Sequence, residues 1–295
     1  MANSLGTLGT ALILQEALTL VFKRFPMLSM VTRNLSAESV DFNQNVITRL
    51  KTVPTVTNFS ADTTSDFTTT DVSVPLDKFK KIKVQFTATE MNSTNRNLIQ
   101  EAAEPIAVAI GKNITDAVAA LYTSGNFSNA TTDATPTYET VNDLRAALAG
   151  RGIYGDRFLL ANVATYTALL NDPLCNRQYK NGGADPTQTG ELDTLLGFKY
   201  VREYADLPTT GNLTAFAGTP DSVCLASRAP RDPRALAADA QFPGNWGVVT
   251  DPMTGLSVAY SEWIHPETWA VTSQVGFMYG VAVGNAAAGQ RLISA

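Results

Sequence analysis

The sequence runs to 295 residues with 44% hydrophobic side chains, enough for one large core or one fold with two lobes. Charged residues make up only 17%, below the usual quarter, and Ser, Thr and Asn fill the gap, which suits a chain that covers much of its surface with copies of itself. A net charge of −5 and a pI near 5.0 argue against a dedicated nucleic-acid reader, which carries a basic face, although a container wall that merely tolerates packed nucleic acid stays open.

The first thirty residues read as an amphipathic arm. Leu5, Leu8, Leu12 and Glu16 fall at helical spacing, Leu18, Val21 and Phe22 add apolar surface, and Pro26 ends the pattern. Gln15 and Glu16 interrupt its apolar run, and the basic Lys23 and Arg24 follow it rather than precede it. Neither a secretory signal nor a membrane span is therefore expected. Docking of this arm on its own core or on a neighbour is equally compatible with the pattern.

Residues 41–90 change character. Val46–Val53 read as a strand, Asn58–Asp71 is a run of Thr, Ser and Asp, and then Val72, Val74 and Leu76 alternate, as do Ile82, Val84 and Phe86. The simplest drawing is an extended two-stranded arm with a polar tip. Such a hairpin buries too little to stand alone, so it is expected to lie against another chain.

The clearest helix follows over residues 95–122, with Leu98, Ala102, Ile106, Ile110, Ile114, Ala117 and Leu121 at steps of three or four. Pro105 falls inside the pattern and is the candidate position for a kink. A compact α/β stretch comes next: a helix over Val141–Ala149, a buried strand over Arg157–Ala161, a helix over Thr165–Leu170, and strands at Phe198–Glu203, Ser222–Ser227 and Trp246–Thr250. Residues 176–191 and 228–245 read mostly as loop. Leu256–Ile264 and Trp269–Phe277 are expected strands joined by a turn at His265-Pro266, and Tyr279–Val283 extends the second.

Motifs that carry chemistry fail in context. Gly150, Gly152 and Gly155 match G-x-G-x-x-G, but a helix precedes and a strand follows, the inverse of a dinucleotide-binding turn. Asp62, Asp66 and Asp71 lack the glycine and closing glutamate of a calcium loop. His265 is the sole histidine, beside Pro266, and no G-x-S-x-G element offers it a nucleophile. Cys175 and Cys224 are too few for a disulfide framework. No enzyme is expected, and no catalytic, cofactor-binding or metal-ligating residue. The densest basic run, Lys78, Lys80, Lys81 and Lys83, reads as a solvated face protecting a sheet edge. The functional alternative is contact with acidic Glu101 or Glu104 of another subunit's helix.

The order of parts is an arm, a hairpin, a long helix, an α/β lobe and a returning β segment. In this order, and in Val31-Thr-Arg33-Asn34 with Asn43–Leu50, Arg157-Phe-Leu-Leu-Ala-Asn162, Leu195-Leu-Gly197-Phe-Lys-Tyr-Val201 and Gly276-Phe-Met-Tyr-Gly280-Val-Ala-Val-Gly284, the chain resembles the major capsid proteins of tailed bacteriophages, with the Hong Kong 97-type fold. The resemblance implies an α+β subunit with an N-terminal arm (1–40), an E-loop hairpin (41–90), a spine helix of the P-domain (91–136), an A-domain (137–255) and a returning P-domain segment (256–295). It further implies homo-oligomeric pentamers and hexamers, a shell around double-stranded DNA touched without sequence preference, and a virion location after assembly in the host cytoplasm. A separate scaffolding protein and a portal are expected partners; no membrane and no cofactor is. The tip lacks the lysine that crosslinks some relatives, so a crosslink there is not expected. An encapsulin-like compartment and a bacterial surface structural protein are the rival readings.

Overall fold

The computed structural model describes residues 14–51, 56, 69–93, 98–176, 190–232 and 244–294, less positions 16, 22–23, 193 and 252–253. Most of the expected arm before residue 14, the hairpin tip, and the greater part of the two long loops lie outside the described residues. In chain order the strands and helices are β1 (Thr32–Ser39), β2 (Asn45–Lys51), β3 (Thr69–Pro75), β4 (Lys78–Phe86), α1 (Ala88–Ser93), α2 (Leu98–Ala119), β5 (Ala130–Thr132), α3 (Tyr138–Gly150) and β6 (Arg157–Ala161). They continue as α4 (Val163–Asn171), α5 (Pro173–Asn176), β7 (Phe198–Glu203), β8 (Leu213–Gly218), β9 (Val223–Ala229), β10 (Asn245–Thr250), β11 (Ser257–Ile264), β12 (Val271–Val283) and β13 (Gly289–Ile293).

A mixed α+β architecture results, organised on β12. Its first half pairs with β4 on one edge and β11 on the other; beyond Met278 the second edge passes to β9. Met278 and Tyr279 have partners on both β4 and β9, so β11 and β9 lie end to end along the edge opposite β4. β10 extends the sheet beyond β11, and β1 closes it by pairing parallel with β9.

The inner face of this sheet meets α2. The helix is 22 residues long, roughly 33 Å. Its apolar stripe of Ile106, Ile110, Ile114 and Val118 packs in one cluster with Val258, Val275, Phe277 and Tyr279. Burying each such side chain contributes about 1.5–3 kcal/mol. The Tyr279 hydroxyl bonds to Asn113 of α2, at 2.7 Å from Oδ1, and burial pushes its pKa up to about 12. Pro105 lies inside α2, where it has no N–H to give the carbonyl four residues back.

The arm docks on its own chain where it is described. Leu14, Leu18 and Val21 are buried in the same cluster as α2. Gly111 allows this approach: a Cβ there would stand 2.4 Å from the Phe25 ring and 3.0 Å from Val21.

A second sheet, β5-β13-β8-β6-β7, carries α3 and α4 on one face through Leu144, Leu148, Tyr166 and Leu169. Asn162 caps α4 by accepting from the Thr165 N–H at 2.8 Å. On its other face Phe216 stacks on Tyr122 at 3.8 Å, with Phe127 edge-on at 4.9 Å, and these rings merge with the first core. Sheet membership crosses the linear divisions expected from the sequence. β9 and β10, within 137–255, belong to the sheet of β12. β13, within 256–295, belongs to the second sheet beside β5 from the 91–136 span. The chain passes three times between the sheets, from β4 to β5, from β8 to β9 and from β12 to β13, and hydrophobic periodicity carries no information on such crossings.

Candidate assembly surface

The extended hairpin consists of β2 and β3, paired antiparallel from Asn45↔Pro75 to Lys51↔Thr69. β4, which the sequence reading placed in the same arm, instead leaves it and forms the edge of the β12 sheet. The hairpin base also rests on its own chain rather than solely on another. Val46 and Leu50 alternate with exposed Asn45, Ile47 and Arg49, and with Val74 and Leu76 they pack on Cys224, Ala226 and Met278 of the outer sheet face. The sequence alone gives no sign of this support, because the seat is built from β9 and β12, about 150–230 residues later in the chain.

Polar contacts fix this base. The buried Arg228 guanidinium donates to the Asn34 carbonyl at 2.7 Å and to its Oδ1 at 2.8 Å, and Asn34 Nδ2 donates to the Ile47 carbonyl at 3.3 Å. Burial lowers the Arg228 pKa, but three carbonyl acceptors keep the guanidinium satisfied. Gly280 lies directly beneath the hairpin exit: a Cβ there would be 1.9 Å from the Pro75 carbonyl oxygen.

The structure puts the basic run on an edge strand and splits it between faces. Lys81 and Lys83 share the outer face with Phe79, whereas Lys78 and Lys80 have the parity of Ile82 and Val84, which pack on the inner core. Lys78 pairs with its neighbour Asp77 at 2.9 Å. The Lys83 ammonium stands 5.6 Å from the Trp263 ring. Glu104 is paired with Arg24 of its own arm, so the acidic helix surface is partly engaged within the subunit. The lysines and Glu104 are not brought together within one chain.

Beside Lys83 the outer face opens into a groove of about 470 Å³ that sequence reasoning missed. Cross-strand pairing lines up Lys83, Gln274, Ser261 and Trp246 in one row and Lys81, Gly276, Ala259 and Val248 in the next. Small residues make the floor, and Phe79, Trp246 and Trp263 make the walls. The available signal was the pairing of aromatic and small residues at period two in β11 and β12, legible only once the register is known.

At the end of the same hairpin the β11–β12 turn holds His265 and Trp269. The Trp263 indole N–H donates to His265 Nε2 at 3.2 Å, tying the end of β11 to the turn. Trp269 adopts φ +51° and is 71% exposed. A bulky residue in that region costs of order 1–3 kcal/mol. The turn holds it there through a bond from the Trp269 N–H to the His265 carbonyl at 2.8 Å.

Cys175 and Cys224 are free and buried, and burial pushes their thiols up to about 12 and about 11. Among the described residues no group of His, Cys, Asp and Glu could hold a metal ion, and no helix is long and apolar enough to cross a membrane.

The arrangement is thus a β12-centred sheet with a long helix on one face, the β2–β3 hairpin on the other and a second α/β sheet beside it. Three solved structures share it: the capsid of cyanophage P-SCSP1u (TM-score 0.59, 11% identity, 90% of this chain and 86% of that one), the capsid of Ralstonia phage GP4 (0.55, 11%, 86% and 82%) and a virus-like particle from Pyrococcus furiosus (0.51, 15%, 95% and 98%). No protein-family model and no curated protein matches the sequence.

Proposed function

We propose that this chain is the major capsid subunit of a tailed bacteriophage, of the Hong Kong 97 type, and that its role is structural. The observation that carries the reading is the near-complete overlap, 82–91% of either chain, with solved phage structures including two named as capsids. In this reading β2–β3 is the E-loop, α2 the spine helix, the β12 sheet the P-domain and the second sheet with α3 and α4 the A-domain. Copies form pentamers and hexamers that close into an icosahedral shell around double-stranded DNA, helped by a scaffolding protein and a portal. The lysines of β4 then meet carboxylates of neighbouring subunits at the shell's seams, each exposed pair contributing about 0–1 kcal/mol and many together setting register.

A compartment that encloses proteins is the second reading, favoured by the likeness to the Pyrococcus furiosus particle over 95% of this chain. Negative-stain electron microscopy of the purified chain, followed by absorbance and mass analysis of any particles, tests both. Closed shells or five- and six-fold rings are the expected result, with nucleic acid inside shells made during infection. Empty or protein-filled shells under those conditions favour the compartment. A chain that stays monomeric with its scaffold present refutes the shell reading.

A further inference from the structure

β4 is a long strand with one side of its backbone unused. Its nine residues pair with β12 alone, and along the other side no backbone group has a partner among the described residues. In a strand of this length about four residues direct their N–H and C=O groups outward, a ready ladder for one more strand. The two faces beside that ladder differ. Lys81 and Lys83 are exposed on the outer face, and neither meets a carboxylate among the described residues. Ile82, Val84 and Phe86 on the inner face stay half-exposed where the sheet stops. We propose that, in the subunit before any neighbour engages these lysines, the β4 edge takes an acidic extended segment of a separate protein as a further strand, with carboxylates on one face and apolar side chains on the other.

Charge selects that occupant. A second β4 would set lysine against lysine. The other described strands with an open side carry at most one carboxylate each. Glu38 of β1 is offset by Arg33, Glu203 of β7 by Lys199 and Arg202, and Asp71 of β3 is paired with Arg49. The described strands of a second copy therefore offer no complement. A segment alternating carboxylate and apolar residues fits both faces at once. Its carboxylates meet Lys81 and Lys83, and its apolar side chains continue the layer in which Ile82 and Val84 already pack on the core. The Lys83 ammonium lies 5.6 Å from the Trp263 ring, a contact that uses its charge and leaves its N–H donors for a carboxylate. Backbone bonds supply the attachment and the lysines the choice of partner.

The inference goes beyond the shell reading and does not need it. Fluorescence anisotropy of the full-length chain with a labelled peptide of about eight residues, alternating Glu and Val, tests it. Saturable binding is expected. The double variant Lys81→Glu, Lys83→Glu should bind at least tenfold more weakly with an unchanged melting temperature. Two further peptides carry N-methyl groups, one on every Glu and the other on every Val, so that each blocks a single side of the strand and neither alters the charge. One of the two should lose at least tenfold and the other should bind as the parent peptide does. No saturable binding, or no loss in the lysine variant, overturns the proposal. Equal binding of the two methylated peptides reduces it to charge attraction and overturns the added strand. A peptide of residues 57–71 of this chain that binds tenfold more tightly than the alternating peptide overturns the separate protein in favour of a second copy. A chain that binds the peptide but never forms particles removes the shell reading alone; one that forms particles without binding removes this inference alone.

Discussion

Gly280 gives the sharpest test of how the hairpin is seated. A Cβ at this position would lie 1.9 Å from the Pro75 carbonyl oxygen, 2.8 Å from its carbon and 3.3 Å from the Leu76 nitrogen. All three are backbone atoms, so no rotamer change relieves the collision. Gly280→Ala must lift the hairpin base by about 1–2 Å, and Val74 and Leu76, both fully buried, move with it. Complete undocking of Val46, Leu50, Val74 and Leu76 would cost roughly 6–12 kcal/mol at about 1.5–3 kcal/mol each. A gap of even about 0.5–1 Å forfeits a quarter to a half of the contact energy, so the expected loss is about 2–6 kcal/mol. At roughly 2 °C per kcal/mol for a chain of this size, the melting temperature should fall by about 4–12 °C, with faster proteolysis of the hairpin. Gly276→Ala is the control, four residues earlier on the same face, where the new methyl group meets ordinary contacts only. Gly280→Ala melting within 1 °C of the parent would refute the seating of the hairpin on β12.

Four other perturbations separate the remaining elements. Gly111→Ala gains about 1 kcal/mol of helix propensity but drives a methyl group into Phe25. The net effect should be a loss of roughly 1–2 kcal/mol in urea denaturation, with earlier proteolysis of the arm. Pro105→Ala restores a hydrogen bond inside α2 and, after the loss of proline's restraint on the unfolded chain, should stabilise the subunit by about 1–2 kcal/mol; thermal melts and particle diameter measure it. Replacing residues 52–68 by Asn-Gly joins Lys51 to Thr69 through a two-residue turn. The subunit should keep its melting temperature within about 2 °C and lose shell formation in electron microscopy. Because Cys175 and Cys224 are buried with thiols raised to about 12 and about 11, both should resist a thiol reagent at pH 8 in the folded chain and react fully in denaturant.

The sequence pattern reached the elements whose burial is periodic. Arg157–Ala161 and Phe198–Glu203 were legible to the residue as β6 and β7, and α2 was legible from its stripe of isoleucines. Gly150, Gly152 and Gly155 proved to be the turn from α3 to β6, with φ of +74° at Gly152 and +127° at Gly155. β8 escaped notice because Leu213, Ala215, Phe216 and Ala217 are all buried, and a strand covered on both faces shows no alternation. β1 escaped for a different reason: Thr32–Ser39 is largely polar and is a strand because it pairs with β9. Of the candidate site, the lysines were visible one by one. The groove was not, since its walls come from three segments joined by register alone.

The threading of β12 sets the timetable on which the chain can be completed. Lys78 pairs with Tyr279, Thr32 with Cys224 and Arg291 with Ala130, so β4, β1 and β5 each wait for a partner synthesised roughly 160–200 residues later. Pairings of such long range fold slowly and impose an order on events during synthesis. The β2–β3 hairpin emerges early from the ribosome, but the residues it rests on, through Met278, emerge almost last. A growing chain therefore cannot present its hairpin in the finished pose to a neighbour, and self-association in that pose is deferred until translation is nearly done.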